Sequence, residues 1–257
     1  MRSAIRIPAK NSPALELPLS HPELKSFMII YGKQIFLYVL RRHPKLIKSV
    51  YLGKEVEKDL FKEISRLGIP LLRVDPKKAQ AMARGGNHQG FLMEIEAISP
   101  LSLGEIKRVD RLLVLHGVSD SGNIGGIFRS AYCLGMEGVI LTNLSSFSIE
   151  SAIRTSSGAL LELPFGIVKN PWDLINELRG AGFMLYGAAL EGEIPNGKSF
   201  ASKRALFMGS EGEGLPKKLL SKLDQLLKIE MERDFDSLNV GVAAAILMDR
   251  MRDGRSN

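Results

Sequence analysis

Residues 111–142 read RLLVLHGVSDSGNIGGIFRSAYCLGMEGVILT, and this stretch decides the fold. Leu112–Leu115 has the length and apolarity of a buried strand, Ile124–Leu134 carries apolar and small residues at helical spacing, and Val139–Thr142 is apolar again. The alternation continues downstream. Trp172–Arg179 predicts a helix, Phe183–Leu190 and Ala205–Met208 predict strands, and Leu215–Leu223 predicts another helix. A strand over Leu226–Met231 and a closing helix from Leu238 to about Met251 complete the series. Such alternation implies a largely parallel sheet covered by helices, with ligands expected in the loops beyond the carboxyl ends of the strands.

Upstream lies a second, smaller α/β pattern. Phe27–Tyr31 reads as a strand, Ile35, Phe36, Val39 and Leu40 share one helical face, and Ser49–Leu52 is a strand. A further helix (Leu60, Ile64, Leu67), a strand (Ile69–Val74) and a basic helix through Lys77, Lys78 and Met82 follow. The predicted organisation is an N-terminal extension over 1–26, a first unit over 27–97, a linker over 98–108 and a second unit over 109–257. Pro100 and Gly104 mark the linker as loop-forming.

The composition is that of an ordinary globular chain: 257 residues, 45% hydrophobic and 25% charged. No apolar run approaches a membrane span, and Pro8, Pro13 and Pro18 interrupt the place where a secretory apolar segment would lie. The expectation is a cytoplasmic protein with no membrane partner. One cysteine, Cys133, excludes an internal disulfide, and four unclustered histidines argue against a structural metal. A net charge of +7 favours a polyanionic partner.

Gly192–Ser199 (GEIPNGKS) matches the phosphate-loop pattern letter for letter and follows a predicted strand. The chemistry requires a helix opening at the lysine and serine, and only Phe200–Arg204 separate Ser199 from the next strand. Pro195 removes a phosphate-binding N–H and Glu193 adds repulsive charge. A surface turn is the better reading, and a nucleotide hydrolase ranks last among the functions.

Three other segments carry polar residues at strand ends. In the first, Ser119–Ala131, Asn123 reads as a helix N-cap. Arg129 sits between Phe128 and Ala131 in an apolar helix, so its charge either reaches solvent or meets an anion. The second, Met208–Pro216, is a glycine-rich turn, G-x-x-G-x-G, which departs from the dinucleotide fingerprint but lets a ligand approach the backbone. In the third, Ile229–Met231 ends a strand, Ser237 reads as an N-cap, and the helix after it is apolar on nearly every face. Asn239 is then expected to be a buried amide that must find partners.

Taken together, S-D-x-x-N-x-G-x-x-x-R-S-A, G-S-E-G-E-G-L and I-x-M with S-L-N-V resemble the three motifs of the SPOUT-class, TrmH-type RNA ribose 2′-O-methyltransferases. Arg154–Ala159 resembles the family's intervening segment. Asn87-His-Gln-Gly90 resembles the end of the RNA-binding domain in its ribosomal-RNA members. The resemblance implies a trefoil-knotted C-terminal domain that binds S-adenosylmethionine around Gly209, Ile229 and Leu238, a homodimer through the last helix, and 23S ribosomal RNA as substrate. It assigns Arg129 as the base, an awkward role for a guanidinium. A charged Arg129 that stabilises the developing alkoxide or an RNA phosphate is the other version. Asn123, Glu211, Ser237 and Asn239 would orient Arg129, ribose and cofactor, with no metal required.

Three positions depart from the family pattern. Ser121 stands for a proline after the aspartate, Glu230 for the proline of I-P-M, and Gly241 for a serine after S-L-N-V. Glu230 adds charge near the expected adenosine pocket. Two alternatives stand beside the leading one: a transfer-RNA 2′-O-methyltransferase, disfavoured by the separate N-terminal unit, and a non-catalytic RNA-binding or ribosome-assembly factor. Arg41, Arg42, Lys45, Lys48, Lys77, Lys78 and Arg84 are the candidate phosphate contacts, part of them ordinary solvated surface.

Overall fold

The structure, a computed structural model, describes residues 27–195, 199–233 and 237–252. The expected N-terminal extension over 1–26, Asn196–Lys198 of the phosphate-loop look-alike and the end of the chain after 252 lie outside the described residues.

The first unit contains β1 (Phe27–Tyr31), α1 (Lys33–Arg42), β2 (Ile47–Leu52), α2 (Lys58–Ser65), β3 (Leu71–Arg73), α3 (Pro76–Met82) and β4 (Phe91–Glu96). Its sheet runs β1-β4-β2-β3, with β4 antiparallel to both neighbours and β2 parallel to β3. The sequence reading did not anticipate β4, which is the second strand in that order. Helix α1 buries Ile35, Phe36, Val39 and Leu40, the face its spacing predicts.

The second unit contains α4 (Leu103–Ile106), β5 (Arg111–His116), α5 (Ser121–Cys133), β6 (Gly138–Thr142), α6 (Ile149–Thr155), β7 (Phe165–Val168) and α7 (Pro171–Gly180). It continues with β8 (Met184–Glu193), β9 (Arg204–Met208), α8 (Lys217–Leu220), β10 (Gln225–Leu227) and α9 (Val240–Arg250). Its six strands are ordered β10-β8-β9-β5-β6-β7 and every pairing is parallel. Leu113, Leu115, Leu141, Leu206 and Met208 pack on one face against α5 and α9; Leu112, Val114, Ile140 and Phe207 pack on the other with residues of α4, α7 and α8. Two apolar faces explain why these strands read as continuous hydrophobic runs.

Several expectations need correction. The strand expected over 226–231 ends at Leu227, so Ile229–Met231 lies in the loop beyond it, and the helix expected over 215–223 contracts to α8. The segment expected to be a linker contains α4, whose Ile106 is fully buried in the second core. No helix follows Ser199: β9 begins at Arg204, so the phosphate-loop match lacks its helix.

Candidate active site

All strands of the second sheet are parallel, so their carboxyl ends share one edge, and the three motif segments leave from it. The first starts α5. Its N-cap is Asp120, whose Oδ1 accepts the Asn123 N–H at 2.7 Å, so Asn123 lies inside the first turn and its side chain is free of capping duty. The expected cap at Asn123 is thus displaced by Asp120, three residues earlier, because a cap accepts from the N–H two or three positions ahead.

The third segment enters α9 through Asn239, not Ser237. Asn239 Oδ1 accepts from the N–H groups of Gly241 at 2.9 Å and Val242 at 3.3 Å, while Ser237 is exposed two residues upstream. Capping fixes which way the amide points. Its Nδ2 then faces outward and donates to Asn123 Oδ1 at 3.0 Å and to Glu211 Oε1. Asn239 is therefore exposed rather than buried, and its hydrogen-bonding capacity is filled by one residue from each of the other two segments.

The second segment folds as a tight loop. Gly214 N donates to the Ser210 carbonyl at 3.0 Å, and Gly212 and Gly214 take left-handed φ of 83° and 65°. A side chain at Gly209 has no room: its Cβ would lie 2.0 Å from the Gly214 carbonyl carbon. The loop thus holds backbone against backbone at the end of β9 and presents Glu211 to Asn239.

The remaining candidates lie outside this bonded trio. Arg129 is exposed on α5 and has no hydrogen bond or ion pair among the described residues. Six residues along a helix place it about 9 Å beyond Asn123 and on a different face. Ile229, partly buried, and Leu238, 37% exposed, lie in the loop between β10 and α9. Glu230, the charged departure, is exposed.

A residue the sequence reading passed over lies beneath. His116 ends β5 with 5% of its surface exposed, and burial lowers its pKa, favouring the neutral ring. Its Nε2 lies 3.4 Å from Asn143 Nδ2, whereas its Nδ1 and the hydroxyl of Thr142, its register partner on β6, are buried without a hydrogen-bond partner. The signal available was a histidine closing an apolar strand.

The two units meet beside this edge. Tyr38 and His43 of the first unit both reach Glu162, and α6 packs on β1 with the Arg154 guanidinium 5.2 Å from the Tyr31 ring centre. Next to the junction, Lys33, Gln34, Tyr38, Arg41, Arg42 and Gln89 line an open basic groove. Of the candidate cations, Arg41 of the groove pairs with Glu63 at 3.0 Å, and Lys48 pairs with Glu96 at 3.2 Å, both across the surface.

Residues 110–249 match the SpoU rRNA Methylase family, and residues 29–101 match the RNA 2′-O ribose methyltransferase substrate-binding family. The chain belongs to the SpoU rRNA methylase family. Among its relatives is the 23S rRNA (guanosine-2′-O-)-methyltransferase RlmB of Vibrio cholerae, 29% identical over 89% of this chain and 98% of that protein. RlmB of Ralstonia nicotianae is 32% identical over 81% and 88%. A crystal structure of an AdoMet-bound rRNA methyltransferase from Sinorhizobium meliloti superposes with a TM-score of 0.71 at 24% identity, covering 90% of this chain and 89% of the other. The SpoU methyltransferase AviRb of Streptomyces viridochromogenes gives the same TM-score at 21% identity, covering 88% and 89%. These likenesses establish the SpoU fold over both units, with a small substrate-binding domain ahead of a parallel-sheet methyltransferase domain.

Proposed function

We infer that the chain methylates a ribose 2′-hydroxyl of 23S ribosomal RNA, on a guanosine as its RlmB relatives do, using S-adenosylmethionine. The observation that carries this reading is the bonded trio Asn123, Glu211 and Asn239, drawn from three separate segments to one edge of the sheet. Side-chain-free backbone at Gly209 and apolar flanks at Ile229 and Leu238 suit an adenosine, whose ring seeks apolar cover and whose polar edges seek backbone groups. When bound, the cofactor supplies an electrophilic sulfonium methyl. The chain's own residues supply position. Asn239 holds Glu211 and Asn123 at a fixed spacing, and holding reactants at attack distance lowers the barrier of such a transfer. Arg129 is exposed, and a guanidinium keeps its proton, so it acts by charge, on an RNA phosphate or on the developing alkoxide as the 2′-hydroxyl gives its proton to solvent water. Ser237 lies two residues before Asn239 and faces solvent, available to the ribose.

The working form is a homodimer in the cytoplasm. Val242, Ala245 and Ile246 recur at helical spacing on the side of α9 opposite its buried Ala244, Leu247 and Met248, and Val242 is 50% exposed. A second copy covering that stripe would bury it. Residues 27–97 form the RNA reader, 98–108 the connection and 109–257 the transfer unit, with the chain knotted there as the family resemblance implies.

The test is transfer of labelled methyl from S-adenosylmethionine to unmodified ribosomal and transfer RNAs, followed by digestion to nucleosides. Label in a ribose of ribosomal RNA is expected. Label confined to transfer RNA would replace the substrate, and no label with no cofactor binding would return the non-catalytic factor.

A further inference from the structure

Glu162 stands just after the 3-10 turn Ala159–Leu161 of the transfer unit, yet its side-chain hydrogen-bond partners belong to the RNA-reading unit. The same oxygen, Oε1, accepts from the Tyr38 hydroxyl at 2.5 Å and lies 3.0 Å from His43 Nε2. Arg42 Nε lies 3.9 Å away. Hydrogen bonds from His43 and Tyr38 hold the Glu162 carboxyl below the ordinary carboxylate range, while burial and the bond to Glu162 push the Tyr38 phenol up. Behind the phenol the ring rests on bare backbone. A Cβ at Gly158 would sit 2.4 Å from Tyr38 Cδ1, and Gly158 has a left-handed φ of 95°.

From this joint a chain of close contacts runs toward the trio. The Ser156 hydroxyl accepts the Leu160 N–H at 3.2 Å, tying the turn before Glu162 to the end of α6. The neighbouring Thr155 hydroxyl donates to the Ser121 carbonyl at 2.7 Å. Helices α5 and α6 touch so closely that a Cβ at Gly125 would lie 2.1 Å from that hydroxyl oxygen. Ser121 is two residues from Asn123. On the other side, Tyr38 and Arg42 are walls of the basic groove.

We propose that Glu162 is a positioning residue for methyl transfer: it locks the RNA-reading unit onto the transfer unit through Tyr38 and His43, so that RNA held in the groove meets Asn123, Glu211 and Asn239 in a fixed register. The proposal rests on the reading of the chain as an RNA ribose methyltransferase. Glu162 touches neither RNA nor cofactor. Its effect is on where the bound ribose stands, and small displacements of a bound substrate cost large factors in rate.

The test uses the full chain with Glu162→Ala, Glu162→Gln and Tyr38→Phe. Three quantities are measured: amide exchange over 29–43 and 156–163, affinity for an unmodified ribosomal RNA fragment and for S-adenosylmethionine, and the single-turnover transfer rate. Glu162→Ala is expected to raise exchange in both segments, leave both affinities within about twofold and lower the transfer rate about tenfold or more. Glu162→Gln, which keeps an acceptor oxygen, recovers part of the rate, and Tyr38→Phe shifts all readings the same way by less. A wild-type transfer rate in Glu162→Ala overturns the proposal, as does a loss of cofactor affinity in step with the rate. Should that variant not fold, a wild-type rate in Tyr38→Phe overturns it. If the wild-type chain methylates no RNA, the functional reading fails by itself; the exchange data still decide the joint, and unchanged exchange in Glu162→Ala refutes it.

Discussion

Among the described residues, polar side chains converge at the sheet edge and at the junction of the two units, and do so on different terms. At the sheet edge Glu211 and Asn239 are exposed, and their bonds leave surface for a substrate. At the junction Glu162 and His43 each keep only 19% of their side-chain surface, and one carboxylate oxygen gathers the hydrogen bonds. The edge is arranged to be approached, and the junction to hold. A hydrogen bond in a half-buried setting resists competition from water, whereas an exposed one is readily exchanged for a ligand contact.

The largest effect should come from the edge. Arg129→Ala is expected to lower the transfer rate by about 10²–10³, the usual cost of one charge-stabilising donor, with calorimetric S-adenosylmethionine affinity unchanged. A normal rate would remove Arg129 from the working side of the comparison. Gly209→Ala comes next. Its Cβ would meet Gly214 backbone, an overpacking cost of about 1–3 kcal/mol. Cofactor affinity should fall about tenfold or more, read by titration calorimetry.

Smaller effects separate stability from chemistry. Asn239→Ala removes a helix cap and should cost about 1 kcal/mol in urea unfolding, while Ser237→Ala should cost a few tenths at most. Equal costs would contradict the assignment of the cap. The smallest effect distinguishes the two regions by pH. His116 is held neutral by burial, so below an ordinary imidazole value of about 6.5 the unfolded chain binds a proton that the native chain refuses, and stability falls as pH drops. Glu162 has the opposite displacement relative to its charge: its contribution is intact above about 4.3 and is lost only as pH falls from there through its lowered native value. Thermal midpoints of His116→Asn and Glu162→Gln against pH should flatten the upper and the lower of these two declines respectively.

Much of this was legible from residues alone. The continuous apolar runs Leu112–Leu115 and Ala205–Met208 announced strands of a largely parallel sheet covered by helices, and the family resemblance grouped Asn123, Glu211 and Asn239 with Arg129 and Ser237, of which the first three are joined by hydrogen bonds through Asn239. Local capping was misread because Ser237 and Asn123 satisfy the composition of a cap as well as Asn239 and Asp120 do; which one serves depends on where the helix starts, a tertiary matter. Strand β4 escaped because the apolar run Phe91–Glu96, although inside the unit expected over 27–97, follows Asn87–Gly90, which resembles the end of the family's RNA-binding domain. The junction could not be read at all. Tyr38 and Glu162 are unremarkable in sequence, and only the docking of two units makes one the partner of the other.

The order of strands in the larger sheet bears on how the chain comes into being. Arg111 of β5 registers with Arg204 of β9, so the middle of that sheet stays open until most of the unit has been synthesised, whereas the smaller sheet closes within the first unit. Non-local pairings of this kind are slow to form. During translation the groove-bearing unit can fold first, and the loops after β9 and β10, which carry Glu211 and Asn239, are among the last to arrive. The residues that line the groove are therefore synthesised well before the loops that carry Glu211 and Asn239.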